Sequence, residues 1–97
     1  MVVSFADRVT ASPDVMFRTV GDEAVLLNLK TELYLGLDPV GSRMWDLLTK
    51  SASIERAFIA LLSEYDVENN RLRGDLEEFL NKLLAQGLIE VSPGQPS

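Results

Sequence analysis

The sequence predicts one α+β domain in which a three-stranded antiparallel meander is followed by three helices. Between residues 15 and 37, apolar and polar side chains alternate in three short runs, which is the pattern of half-buried strands. Between residues 39 and 86, apolar side chains instead recur every three or four positions, as on a helix with one buried face. The chain has 97 residues, which is enough for a single domain with one modest core.

Very short connections join the three strand-like runs. The first run, 15–20, is followed by a Gly-Asp pair at 21–22, which suits a tight hairpin turn because Gly tolerates positive φ. The second run, 23–29, ends at a Lys-Thr connection, and the third run, 32–37, reads ELYLGL. Two hairpins in succession predict a meander in which the first and third strands both form edges of the sheet.

Cap residues mark the predicted helices. Asp38 accepts hydrogen bonds from the first free N–H groups and Pro39 suits the first helical position, so the first helix is expected to start there and to end near residue 50. Ser53 caps the second helix in the same way. The third helix is expected to run from residue 69 or 70 to residue 86, and Gly87 can end it in the left-handed conformation.

The two ends of the chain carry weaker patterns. The first ten or so residues have no clear period, and the sequence does not choose between a segment that lies along the sheet and one that wanders. Residues 88–91 predict a short final strand or an extended tail. The last six residues, SPGQPS, are small, polar and rich in Pro. We therefore expect a domain over residues 1–91 and a disordered tail over residues 92–97.

The composition argues against catalysis. The chain contains no Cys and no His, which removes thiolate metal sites, the commonest zinc ligand and the commonest general base. The acidic residues of the third helix occupy neighbouring positions that do not converge on one ion. We therefore expect a protein that is not an enzyme and that uses neither a metal nor a cofactor.

The charge balance disfavours nucleic acids and membranes as partners. The 15 acidic residues outnumber the 9 basic ones, for a net charge of −6, whereas nucleic acids and anionic membranes attract basic surfaces. No apolar run reaches the roughly 18 residues of a membrane-spanning helix, and the N-terminus lacks the basic start and apolar stretch of a signal peptide. The sequence thus predicts a cytoplasmic protein that binds neither nucleic acid nor membrane.

The run ELYLGL at residues 32–37 predicts an unprotected sheet edge. It contains no Lys or Pro, which usually guard such edges, and Gly36 lacks a side chain that would keep another backbone at a distance. One interpretation is strand addition, in which a peptide pairs with this edge and places alternate side chains into adjoining pockets. The other is that Gly36 permits a bulge and that the N-terminal segment or the wing covers the edge. The pattern alone does not decide between them.

The third helix carries more apolar surface than one buried face requires. Leu80 and Leu84 lie to one side of Leu72 and Phe79 around the helix axis, and the apolar arc modestly exceeds about 100°. One interpretation is an apolar groove between this helix and the third strand. The other, which the spacing alone favours, is a helix packed between two neighbours.

The second and third helices beside a β-element resemble a winged helix-turn-helix, which is a likeness of shape alone. A helix that reads DNA needs basic residues. The third helix instead balances Arg71, Arg73 and Lys82 against Asp75, Glu77 and Glu78, which we expect to form a solvated face. Trp45 is expected in the core, because a single large aromatic residue in a small domain usually anchors packing.

Two segments carry a family resemblance. Residues 24–48, AVLLNLKTELYLGLDPVGSRMWDLL, contain a Leu-Leu strand, an aromatic-containing strand that ends in Leu-Asp, and a helix with a Trp. Residues 64–91, EYDVENNRLRGDLEEFLNKLLAQGLIEV, contain Tyr-Asp-Val, an Asp-aliphatic pair followed by Phe-Leu, and Gly-Leu-Ile at the end. In their order and spacing these patterns resemble the PqqD-like family, whose domains are recognition elements for ribosomally synthesised and post-translationally modified peptides (RiPPs).

The resemblance implies a winged-helix-like fold that binds the leader segment of a precursor peptide antiparallel to the third strand, in a cleft beside the third helix. It also implies that the peptide is then presented to a modifying enzyme, either a radical S-adenosylmethionine enzyme or a lasso-type leader peptidase. The implied peptide-binding residues are Glu32, Leu33, Tyr34, Leu35, Gly36 and Leu37 on the strand, and Arg73, Leu76, Glu77 and Leu80 on the helix.

Two other functions stay open at this point: a winged-helix transcription regulator, and a docking subunit of a larger enzyme that recognises no leader. Salt separates the first of these from peptide capture, because main-chain bonds dominate strand pairing whereas DNA binding weakens steeply with salt. The sequence also leaves a monomer and a weak homodimer open, since two exposed edges could pair with a second copy.

Overall fold

The computed structural model describes residues 4–94. The predicted α+β arrangement is confirmed, because the antiparallel sheet with strand order β2-β3-β4 precedes three helices. The predicted likeness to a winged helix-turn-helix stays a prediction, since the order of elements does not establish it. In chain order the elements are β1 (Arg8–Ala11), β2 (Val15–Val20), β3 (Glu23–Asn28), β4 (Tyr34–Leu37), α1 (Pro39–Lys50), α2 (Ile54–Glu64), α3 (Asn69–Ala85) and β5 (Ile89–Ser92).

The third strand of the meander is shorter than predicted. β4 begins at Tyr34, whereas the run was expected to start at residue 32. Glu32 has a φ of +63°, and its N–H donates to the backbone oxygen of Asn28 at 2.8 Å. Glu32 therefore belongs to the turn between β3 and β4. Leu33 precedes the strand and is 50% exposed, so it does not share the buried position of Leu37.

A second, two-stranded ribbon joins the two ends of the described chain. β1 pairs antiparallel with β5, so that Val9 lies opposite Val91. Val9 is fully buried and Ile89 nearly so, and this apolar burial holds the ribbon against the rest of the domain. The final strand is confirmed, but its pairing with the N-terminal segment was not predicted. Ser92 closes β5 although the predicted tail began there, and residues 95–97 of that tail lie outside the described residues.

Local capping fixes the helix ends as predicted. The carboxylate of Asp38 and the hydroxyl of Ser53 each accept from the backbone N–H three residues later, at 2.7 and 3.2 Å. At the end of α3, Gly87 has a φ of +66° and donates to the Leu84 oxygen at 3.1 Å, while Leu88 donates to the Leu83 oxygen at 2.9 Å. This Schellman geometry satisfies two carbonyls that the helix itself leaves free.

The core lies between the strands and the three helices. Trp45 is 6% exposed, which confirms its predicted place there. The wide apolar arc of α3 is used in the same core, because Leu80 is only 1% exposed and Leu84 is partly buried against it. The shoulder of α3 is therefore packed, which is the interpretation that its spacing favoured.

Candidate functional site

β4 leaves one edge of the meander open. Its only strand neighbour within residues 4–94 is β3. The N–H of Asn28 donates to the Leu33 oxygen at 2.8 Å. Because hydrogen bonding alternates along a strand, the main-chain groups of Leu35 and Leu37 also face β3. Tyr34 and Gly36 therefore direct their N–H and C=O groups away from β3. These main-chain groups are available to another extended chain.

The alternative interpretation of this edge does not hold. Gly36 lies opposite Val25 in an unbroken register from Tyr34 to Leu37, so this part of β4 contains no bulge. The N-terminal segment pairs with β5 through β1 and does not run along β4. A Cβ atom added to Gly36 would meet no heavy atom within 4 Å, so the space around this residue is open.

A groove runs along α3, opposite β4 and the start of α1. Two adjoining cavities of about 160 and about 240 Å³ form it. Each is below the roughly 300–1,000 Å³ of a small-molecule site, so single side chains of a larger partner suit them better. The first cavity is lined by Leu35, Gly36, Leu37, Asp38, Gly41, Phe79 and Lys82. The second shares the last four of these residues and adds Val40, Met44, Asp75 and Glu78.

The wall that α3 contributes is apolar at its centre and charged around it. Phe79 is partly buried and packs against the core, while Asp75, Glu78 and Lys82 also line the groove. The Lys82 ammonium lies 3.9 Å from the Glu78 carboxylate. Together with Asp38, whose carboxylate caps α1, the groove carries three acids and one base. This balance favours neutral or basic segments of a partner over acidic ones.

The predicted strand residues fall into two groups. Leu35, Gly36 and Leu37 line the groove, and Tyr34 lies in the same strand with 71% of its surface exposed. Glu32 and Leu33 lie in the preceding turn and line neither cavity. The structure thus brings four of the six predicted strand residues together at the open edge.

Two of the predicted residues of α3 lie away from the groove. The Arg73 guanidinium carbon stands 4.3 Å from the ring centroid of Phe5 and 4.9 Å from that of Phe58. Its terminal nitrogen lies 3.8 Å from Glu55. Glu77 follows Arg73 by four residues and so shares its side of the helix. Both residues belong to the flank of α3 that faces α2 and the N-terminal segment.

Leu76 and Leu80, the other two predicted residues of α3, are buried in the core at 0% and 1% exposure. The predicted positions 73, 76, 77 and 80 have the same spacing as the groove positions 75, 78, 79 and 82 but differ from them by two residues. This shift is about 200° of rotation on an α-helix. Contact of the four predicted residues with a peptide stays a prediction, and their placement does not favour it.

The family resemblance implied these four residues, and helical spacing alone does not fix which face of α3 meets β4. Phe79 was the better signal. It is an apolar residue with charged neighbours at Asp75, Glu78 and Lys82, a pattern that suits the margin of a core next to an open groove.

Metal-ligand clusters and membrane-spanning helices are absent from the described part of the chain. Residues 4–94 contain no group of three or more His, Cys, Asp or Glu side chains that could hold a metal ion. Within the same range, the helices are too short or too polar to cross a membrane. The Arg43 guanidinium donates to Glu64 at 2.6 Å and thereby lowers the pKa of that carboxyl, but this pair joins α1 to α2 outside the groove.

Comparisons with known proteins identify one family and two similar solved structures. The family described as coenzyme PQQ synthesis protein D (PqqD) matches residues 23–89. The chain is similar to TbiB1 in complex with the TbiA(beta) leader peptide, with 40% sequence identity and a TM-score of 0.74 over 84% of this chain and 94% of that one. No curated protein matches it significantly.

A second solved structure shows the same fold. It is a lasso peptide synthetase B1 complexed with the leader peptide, and it has a TM-score of 0.77 over 86% of this chain and 98% of that one. Its sequence identity is 20%, so this likeness concerns the fold alone.

Proposed function

The chain belongs to the PqqD family, and from this premise we propose that it binds the leader segment of a ribosomally synthesised precursor peptide. It acts as a RiPP recognition element without catalysis of its own, and it presents the bound peptide to a modifying enzyme in the cytoplasm. The complex of its 40% identical relative with a leader peptide supports this role.

The observation that carries the proposal is the open edge of β4 beside the groove. An extended peptide adds to the sheet antiparallel to β4, through hydrogen bonds to the main chain of Tyr34 and Gly36. Successive side chains of a strand point to opposite faces, so every second side chain of the peptide enters the groove toward Phe79. Pairing along the four residues of β4, with one or two buried side chains, corresponds to roughly micromolar affinity.

The chemistry of the groove supports a role in binding rather than catalysis. Its polar side chains are carboxylates and one amine, and the full sequence supplies no His or Cys that could act as base or nucleophile. The chemical change of the peptide therefore belongs to the recipient, a radical S-adenosylmethionine enzyme or a lasso-type leader peptidase. The chain contributes affinity for the leader and a fixed orientation of it.

Direct binding tests this function. The TbiA(beta) leader peptide is titrated into the chain, and a displayed library of random peptides is selected on it in parallel. We expect bound peptides to pair as strands and to show only a mild dependence on salt, because main-chain bonds dominate. Failure to bind the leader peptide together with failure to enrich any library peptide would overturn the proposal. Binding of DNA with a steep salt dependence would instead indicate a transcription regulator.

Capture from the native cell identifies the two partners. Short ribosomal peptides and large proteins that co-purify with the chain are identified together by mass spectrometry. Recovery of a precursor peptide with a modifying enzyme is the expected result. Recovery of one large enzyme, unchanged when all short peptides are removed, would support a docking subunit that recognises no leader.

A further inference from the structure

Asn28, the last residue of β3, is the one polar or charged residue that is buried as a whole in the part of the chain that the structure describes, with 5% exposure. Burial of an amide is unfavourable unless its donors and acceptors are bonded. Both the side chain and the backbone of Asn28 have such partners. A buried polar group with complete partners specifies one local geometry, because other arrangements leave polar groups unpaired.

On the sheet side, Asn28 organises the turn that leads into β4. Its Oδ1 accepts from the N–H groups of Lys30 and Thr31 at 2.9 and 3.2 Å. Its backbone oxygen accepts from Glu32, and its backbone N–H donates to Leu33, both at 2.8 Å. These four bonds hold Glu32 at its positive φ and set where β4 begins.

On the helix side, the same amide binds the end of α3. Its Nδ2 donates to the backbone oxygens of Gln86 and Gly87 at 3.3 and 3.2 Å. A Cβ atom at Gly87 would stand 3.4 Å from this nitrogen, so the end of β3 and the segment after α3 approach closely there. The orientation of the amide follows from its partners, because Nδ2 faces two carbonyls and Oδ1 faces two N–H groups.

We propose that Asn28 is a positioning residue that sets the separation of β4 and α3 and thereby the width of the groove; this inference rests on the proposed function. The turn held by Oδ1 leads directly into β4. Gln86 is the C-cap residue of α3 and follows the groove residue Lys82 by four positions. Apolar burial stabilises the packing of β4 and α3 but is non-directional. The hydrogen bonds of Asn28 have a defined geometry and therefore fix the relative position of the two elements at one point.

The variant Asn28→Asp separates the two halves of this junction. It has nearly the same shape and keeps the acceptor for Lys30 and Thr31, but it turns a carboxylate oxygen toward the carbonyls of Gln86 and Gly87. We expect about tenfold weaker binding of the TbiA(beta) leader peptide, or of a library peptide selected on the wild-type chain, in calorimetry under folded conditions. If this variant does not fold, Asn28→Ser replaces it, since a hydroxyl can hold the turn but is too short to reach α3.

Two control variants separate positioning from general destabilisation. Ser53→Ala removes the cap of α2, and Leu61→Ala leaves a cavity at a fully buried position. Neither residue lines the groove, so peptide affinity is expected to stay within about twofold of wild type. If peptide affinity falls in proportion to the loss of unfolding free energy in Asn28→Asp, Ser53→Ala and Leu61→Ala alike, the role of Asn28 is only structural. That result would overturn the inference.

Coupling to Phe79 gives the sharper readout. If Asn28 acts through the width of the groove, its effect depends on the side-chain contact at Phe79. Asn28→Asp should then change affinity less than about twofold in a Phe79→Ala background. Additive effects would overturn the inference, as would a wild-type affinity for Asn28→Asp alone. The proposed function fails separately, when the wild-type chain binds neither the leader peptide nor any library peptide.

Discussion

The two flanks of α3 are used in opposite ways. On one flank, Leu80 is buried in the core and Arg73 lies over two aromatic rings. On the other flank, Phe79 and Lys82 face a groove beside an open strand edge. The first flank is committed to the protein's own fold, whereas the second adjoins main-chain groups that have no partner within β4 and β3. Apolar width alone therefore does not identify the binding face of this helix.

The largest expected effect is on the committed flank. Leu80→Ala removes a side chain that is 1% exposed, so we expect the free energy of unfolding in urea to fall by about 2–5 kcal/mol. Peptide affinity, measured at a temperature where the variant is folded, should stay within about twofold of wild type. A larger loss of affinity in the folded variant would show that both flanks of α3 take part in binding.

The next effect is on the open edge itself. Gly36→Pro removes an N–H that points away from β3, so no bond within the sheet is lost and the domain should stay folded. We expect peptide affinity to fall by about thirtyfold or more, because a main-chain bond is lost and the ring obstructs pairing at its centre. Gly36→Ala is the milder companion. Its Cβ would meet no heavy atom within 4 Å, and it keeps the N–H, so binding should survive.

A matched control lies on the other edge of the same sheet. Leu29 donates to the Asp14 oxygen at 2.8 Å, and Thr19 lies opposite Ala24, so by alternation the N–H of Thr19 also points away from β3. Thr19→Pro therefore makes the same change on β2, at the edge of the sheet opposite to β4 and the groove. We expect it to leave peptide affinity unchanged. Equal losses from both Pro variants would mean that the peptide does not select the β4 edge.

A smaller effect is expected from the residue next to Leu80 in sequence. Phe79→Ala removes the aromatic side chain at the centre of the groove wall, and we expect about tenfold weaker peptide binding. Some stability should be lost as well, because Phe79 is partly buried, but less than for Leu80→Ala. Calorimetry and urea unfolding of both variants compare adjacent positions on opposite flanks. If the same variant shows the larger loss both of peptide affinity and of unfolding free energy, the division between the flanks is wrong.

Local chemistry explains which elements could be predicted from the sequence. The hairpin at Gly21 and the caps at Asp38, Ser53 and Gly87 depend on residues within a few positions of each other, and all are found in the structure. The open edge could be predicted for a related reason. Short connections join the three strands, so a fourth strand beside β4 would have to come from a distant part of the chain.

The features that were missed depend on distant contacts. β1 pairs with β5, which lies almost at the other end of the sequence. In neither segment is the alternation of apolar and polar residues clear enough to predict the pairing. The left-handed conformation of Glu32 follows from the hydrogen bonds of Asn28. No Gly stands at this position, so the sequence does not indicate a positive φ there. The rotation of α3 follows from which flank meets α2, and helical spacing leaves that choice open. Tertiary packing, rather than local propensity, decides all three.

The smallest effects come from one cation on each flank. Arg73→Gln loses a partly exposed stack over Phe5 and Phe58, which is worth about 0.5–1 kcal/mol of unfolding free energy. Lys82→Gln leaves stability nearly unchanged but removes the only base among the residues that line the groove. Because three carboxylates then remain there, peptides selected from the displayed library on this variant should carry fewer Asp and Glu than those selected on wild type. Arg73→Gln should select the same sequences as wild type, so a shift caused by Arg73→Gln and not by Lys82→Gln would reverse the assignment of the two flanks.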